Sequence, residues 1–163
     1  VSRSTLGRIL GLDYGARRVG AALSDPGRSI ATPLEVYERL DPTQDARHYR
    51  ALVAEHEVER IVVGLPVHTG GREGTAAAQA RAWGDWLGRE TGAPVMYFDE
   101  RYTTVEADDV LIGAGIKRRK RRHYRDMLAA RILLQNYLEA GCPETETPPL
   151  PLDDAGEDDP CEP

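Results

Sequence analysis

Three carboxylates hold positions from which they could act together. Asp13 closes a short apolar segment, Arg8 to Asp13, that reads as a strand, and the turn after it leaves the side chain near the carboxyl edge of the sheet. Asp99 and Glu100 end a later apolar segment that begins at Val95. If the two strands are parallel neighbours, their acids share the edge at which open α/β sheets bind ligands. Asp126 falls in the first turn of the last helix, where the helix dipole tolerates a carboxylate, and it heads an apolar stripe of Ala129, Ala130, Leu133, Leu134 and Tyr137. A cap or a solvated charge is the ordinary fate of an acid at a helix start. An acid on the packing face needs another reason. Brought together, Asp13, Glu100 and Asp126 repel one another by about 1 kcal/mol per pair at 4 Å in water, and by several times more where water is sparse. A divalent cation resolves that repulsion. Mg²⁺ or Mn²⁺, as one ion or two, prefers such oxygen ligands, keeps part of its water and leaves positions open for phosphate. Two ions about 3.5–4 Å apart activate water and stabilise the leaving oxygen of a phosphodiester.

A second constellation is basic. Lys117, Arg118, Arg119, Lys120, Arg121, Arg122 and Arg125 place seven bases within nine residues, immediately before Asp126. A charge run is usually a solvated face, but one beside an acidic site attracts phosphate without reading sequence. Arg17 and Arg18 stand beside the first acid, and strand alternation does not say which of them binds. Arg101 follows Glu100 and either contacts a phosphate or pairs with a neighbouring acid. Thr104 is a weaker phosphate contact; Thr103 and Glu106 have capping-box spacing. His68 lies in a Gly-rich loop, Pro66 to Gly74, of the kind that cradles phosphate, and a loop His without function is equally expected there. His48 and His56 read as surface helix residues. Trp83 and Trp86 read as packing residues on a helix with a normal apolar stripe rather than as platforms for bases.

The elements that must position these residues alternate along the chain. Arg8 to Asp13 and Arg17 to Ser24 read as strands joined by the turn Tyr14-Gly15-Ala16-Arg17, hence antiparallel, with a third strand around Ser29 to Val36. Asp41-Pro42-Thr43-Gln44 carries an N-cap, a proline at the first helical position and a capping-box partner, and the helix runs to about Glu57. Arg60 to Leu65 is an unbroken apolar run, as in a strand buried on both faces. A helix from Thr75 is stopped by Gly92 and Pro94; the strand Val95 to Asp99 follows, then a helix from Thr103 through Leu111. A basic linker, Gly113 to Tyr124, leads into a last helix that ends at Glu139. Strands first and then alternating helices and strands give one α/β layered domain on a mixed sheet.

The 163 residues allow one domain. The mean hydropathy of −0.49 is that of a soluble protein. No apolar run approaches the roughly 20 residues that span a bilayer, and no secretory signal pattern opens the chain. The net charge of −6 argues at first against a polyanion substrate. It is unevenly spread. Residues 141–163 hold eight acids and no Lys or Arg, so residues 1–140 carry 19 acids against 21 bases, a net of +2. The expected organisation is a domain over 1–140 and an acidic, Pro-rich, disordered tail over 141–163 that competes with nucleic acid for the basic cluster. Cys142 and Cys161 both lie in that tail and read as free thiols of a reducing cytoplasm rather than a disulfide framework or a zinc site.

Four segments in order, GLDYGARRVGAALSD (11–25), VGLPVHTGGREG (63–74), DERYTT (99–104) and DMLAARILL (126–134), strongly resemble the YqgF family, also called the RuvX or Holliday-junction-resolvase family. The resemblance covers residues 8–139. It implies an RNase H-like fold, a five-stranded mixed sheet flanked by helices. It also implies a metal-dependent nuclease whose acids fall on Asp13, Glu100 and Asp126. The family is linked to processing the 5′ end of precursor 16S ribosomal RNA, with Holliday-junction cleavage as the earlier proposal. Three departures stand out. Gly15-Ala16-Arg17-Arg18 replaces the usual Gly-x-Lys-Arg and keeps its charge. His68, Thr69 and Gly70 replace a commoner Asn-Met-Asp, which bears on loop contacts to substrate. The related RuvC resolvases carry a fourth acid one turn beyond the helix Asp, where this chain has Ala129, so one metal position has fewer ligands.

The expected function is therefore a cytoplasmic, metal-dependent nuclease on nucleic acid, with RNA favoured over branched DNA, acting as a monomer or a homodimer. Two other classes compete. Sugar- or acetate-kinase-like phosphotransferases also open on a strand and an Asp-x-Gly turn, as in Asp13-Tyr14-Gly15, but they need two duplicated domains. A non-catalytic RNA- or ribosome-binding module would bind no Mn²⁺. The absence of a Walker loop excludes ordinary P-loop NTPases.

Overall fold

Asp13 reaches its place at the end of β1 (Arg8–Asp13), which pairs antiparallel with β2 (Arg18–Ser24) so that Asp13 stands opposite Gly20. β3 (Ala31–Glu38) continues the meander on the outer side of β2. The computed structural model describes residues 7–66, 74–99 and 118–144, without the side chains of 118, 119 and 121–123. The helix expected over 103–111, the Gly-rich loop residues 67–73 with His68, and residues 145–163 with Cys161 lie outside the described residues.

α1 (Pro42–Glu55) starts as its sequence dictates: the Asp41 carboxylate accepts the Gln44 backbone N–H at 2.8 Å, and Pro42 fills a position that needs no donor. β4 (Val58–Leu65) then runs parallel to β1. α2 (Thr75–Thr91) is closed by Gly92 in the left-handed region at φ 76°, and β5 (Val95–Asp99) lies parallel to β4. The sheet order is β3-β2-β1-β4-β5, a five-stranded mixed sheet. The strands ending in Asp13 and Asp99 are thus parallel but not neighbours. β4 stands between them because its run of Ile61, Val62 and Val63, all fully buried, needs cover on both faces.

The sheet divides two cores. Leu10, Leu12, Val19, Ala21, Ile61 and Val63 meet α1 and α2 through Tyr49, Leu52, Trp83 and Leu87. Ile9, Ala22 and Val62 meet α3 (Arg118–Glu139) through Ala130, Leu134 and Tyr137. Trp83 is core, as expected, and Trp86 packs half-buried beside it. His48 is less exposed than its helix pattern suggested: its ring stacks on Tyr37 at 3.9 Å between centroids, and Nε2 lies 2.5 Å from Glu35 Oε1. Buried Asp45 accepts the Tyr37 hydroxyl at 2.7 Å and the Leu40 N–H at 3.0 Å.

Two expectations change. The last helix begins at Arg118, so much of the basic segment is helix rather than linker. Arg and Lys are good helix formers, and nothing between Arg118 and Tyr124 breaks a helix. The chain also stays on the body past Glu139. Gly141 and Cys142 take left-handed backbone, and the Tyr137 hydroxyl donates to the Pro143 carbonyl at 2.7 Å. Arg60 donates to the Cys142 carbonyl at 3.2 Å and pairs with Glu144. The first four residues of the expected tail are therefore docked, and Cys142 is a half-buried free thiol against the α3-side core.

Candidate active site

Strand alternation decides which side chains share a face. In β1, Ile9 and Gly11 meet α3: a Cβ on Gly11 would lie 2.7 Å from the Leu134 Cβ. Asp13 continues that parity. In β2, Gly20 and Ala22 face α3, and a Cβ on Gly20 would lie 2.1 Å from the carbonyl oxygen of Asp126. Gly20 is thus the contact on which α3 sits. It is also the cross-strand partner of Asp13. One glycine therefore seats the Asp126 backbone beside the strand position that carries Asp13, and the two acids come to the same face at the same sheet edge.

Arg18 completes this arrangement. Two residues before Gly20 it has the same parity, and its Nε lies 3.3 Å from Asp126 Oδ2. The pair is partly exposed, at 38% and 25% of the side-chain surface. Asp126 is the ninth residue of its helix, so neither capping nor the dipole of the first turn explains an acid there. A guanidinium placed by the neighbouring strand does. The pleat parts Arg17 from Arg18: Arg18 pairs with Asp126, and Arg17 lines a groove on the other face of the sheet.

In β5 the same alternation places Asp99. Met96 and Phe98 pack on the α3 side, Val95 and Tyr97 on the α1/α2 side, and Asp99 has the parity of the latter. Glu100, Arg101, Thr104 and Lys117 lie outside the described residues. Arg118, Arg119, Arg121 and Arg122 are helical in backbone, and Lys120 is exposed. Among the described residues no group of three or more His, Cys, Asp or Glu could hold a metal. The described part of the expected triad is Asp13 with Asp126. No helix among the described residues is long and apolar enough to cross a membrane.

The fold is shared with solved resolvases. Thermus thermophilus RuvC in complex with a Holliday junction substrate matches with a TM-score of 0.50 at 17% identity, over 86% of this chain and 98% of that one. The Fowlpox virus resolvase with Holliday junction DNA matches with a TM-score of 0.53 at 12% identity, over 83% and 99%. The architecture is thus the RNase H-like fold. Within that class the chain belongs to the RuvX family: the family model described as "RuvX: Holliday junction resolvase" matches residues 7–140. A protein of Halothermothrix orenii named "Putative pre-16S rRNA nuclease" is 44% identical over 131 residues, 80% of this chain and 94% of that protein. One of the same name from Rhodopirellula baltica is 37% identical over 158 residues, 91% of each.

Proposed function

We propose that this chain is a metal-dependent nuclease that hydrolyses phosphodiester bonds in structured RNA, with the 5′ end of precursor 16S ribosomal RNA as its substrate. The observation that carries the reading is the seating of Asp126 on Gly20, opposite Asp13. The names of relatives 37–44% identical support the substrate class. The donor set suits a hard divalent ion: two carboxylates at one edge, one of them already drawing a cation, Arg18. Asp13 and Asp126 would hold Mg²⁺ or Mn²⁺ together with Glu100, which has the sequence parity of Met96 and Phe98. When bound, such ions neutralise phosphate charge and activate water. The chain's own part is to fix the carboxylates and to gather the substrate strand.

The start of α3 supports the second task. Six of its first eight residues are Arg or Lys, and its first turn has no acid. Positive charge at a helix N-terminus opposes the dipole, typically by 0.3–1 kcal/mol per residue at low salt. A helix start of this charge suits a polyanion that lies against it. Arg101 and Thr104 are assigned to the same strand of substrate. The acidic segment beyond Glu144 competes with that strand in the cytoplasm; a truncation that tests this begins at residue 145, since 141–144 are docked.

The Asp13→Asn protein should keep the circular dichroism and thermal transition of the parent and lose Mn²⁺-dependent cleavage of a ribosomal RNA precursor. Undiminished cleavage would sink the assignment. The family description favours branched DNA as a second substrate. A four-way junction in the same assay tests it, and symmetric cleavage there requires two active sites, hence a dimer.

A further inference from the structure

On the sheet face opposite Asp126 lies an open groove of about 830 Å³, a volume typical of ligand sites. Its walls are aromatic. Tyr14 and Trp83 stand 5.1 Å apart between ring centroids, tilted by 37°, and half-buried Trp86 extends the wall. Its rim is polar: exposed Arg17, Glu38 and Gln79 offer both donors and acceptors. The Tyr14 wall is held in place. Arg39 donates through Nη1 to the Tyr14 hydroxyl at 3.1 Å and to the Ala16 carbonyl at 3.0 Å, and its guanidinium carbon lies 5.1 Å from the centre of the Tyr14 ring.

The groove lies on the other face of the sheet from the acids and is tied to them by one turn of the chain. Tyr14 follows Asp13 directly, and the turn from Tyr14 to Arg17 joins β1 to β2, so one turn carries a wall of the groove and connects the strands of Asp13 and Arg18. A flat ring with a polar edge suits stacked aromatics under a donor–acceptor rim better than an apolar side chain does. Single strands are gripped in this way, by bases stacked on aromatic side chains beside cations that track the backbone.

We infer that this groove receives an unstacked base of the substrate strand next to the cleaved phosphate, with Trp86 as stacking surface and Arg17 contacting the adjoining phosphate. The inference rests on the nuclease reading and deepens it. It requires single-stranded character beside the cut, without base specificity.

The protein reports on the groove directly, because both of its tryptophans line it. The Asp13→Asn full chain, which does not cleave, is titrated with a single-stranded RNA decamer and with an abasic decamer of equal charge. The RNA should quench tryptophan emission and bind about tenfold more tightly than the abasic strand, the usual worth of one stacked base. A second substitution, Trp86→Ala, should abolish that discrimination with unchanged circular dichroism, and Trp86→Phe should retain most of it. Equal quenching and equal affinity for the two strands, or discrimination that survives Trp86→Ala, overturns the inference. The nuclease reading is read separately, from cleavage by the parent chain with Mn²⁺. Base-dependent quenching without any cleavage by the parent chain would leave a base-stacking groove on an RNA-binding protein and overturn its placement beside a cut.

Discussion

Gly20 is the residue on which the geometry of the candidate site turns, and Gly20→Ala perturbs it by one methyl group. The added Cβ would lie 2.1 Å from the Asp126 carbonyl oxygen and 2.8 Å from its carbonyl carbon. These are backbone atoms, with no flexible side chain to yield. To reach ordinary contact, α3 must move off β2 by more than an ångström at Asp126. Overpacking of this kind costs about 1–3 kcal/mol. A displacement of about 1 Å at a catalytic group costs about 10²-fold in rate. Urea denaturation should therefore show a lower midpoint with an unchanged slope, and cleavage with Mn²⁺ should fall about 10²-fold at saturating metal. Gly11→Ala is the control. Its Cβ would meet the Leu134 Cβ at 2.7 Å, two turns further along α3, so the helix is pushed off the sheet there rather than at Asp126. It should destabilise with a much smaller loss of rate. If Gly20→Ala keeps both its midpoint and its rate, the helix is not seated as described, and the argument that brings Asp126 to Asp13 fails.

Other changes probe the same structure. Arg18→Gln removes a partly exposed ion pair, so stability should fall by about 1 kcal/mol or less, while calorimetry should show Mn²⁺ binding tightened a few-fold and RNA binding weakened with a smaller salt slope. Unchanged Mn²⁺ affinity would show that Arg18 does not compete for Asp126. The Tyr37 hydroxyl is pushed up to about 12 by burial, then by its hydrogen bond to Asp45 and the charge there. The folded state thus holds this proton more tightly than the unfolded chain does. The corresponding stability is full below about pH 10 and is lost as pH rises towards about 12. Tyr37→Phe should be less stable at pH 7, because Asp45 loses a donor, yet show a shallower fall in Tm across that window; Tyr49 and Tyr137, also raised by burial, keep the slope from vanishing. The Tyr49 hydroxyl is buried and has no partner among the described residues, so Tyr49→Phe should be neutral or stabilising by about 1 kcal/mol in thermal unfolding.

Much of this protein follows from local chemistry. The strands Arg8–Asp13 and Val95–Asp99 were legible to the residue, because each is an apolar run ended by an acid or bounded by turn formers. Asp41-Pro42 and Gly92 marked the ends of α1 and α2, because caps and left-handed closures are properties of a few adjacent residues. The motif order carried the family. The start of α3 lies inside the basic segment rather than after it, because Arg and Lys propagate a helix as well as most residues.

What no local pattern held was the relation between distant segments. β4 entered between the strands of Asp13 and Asp99 because only the centre of the sheet covers an unbroken apolar run on both faces. Arg17 and Arg18 are adjacent and alike in sequence, yet the pleat sends one to an aromatic groove and the other to Asp126. That groove draws on the β1–β2 turn, the end of β3 and one side of α2. The residue types, the strand ends and the acids are set along the chain. The tertiary structure decided which of them meet, because a site is built from close approaches, such as α3 on Gly20, that exist only after the chain has packed.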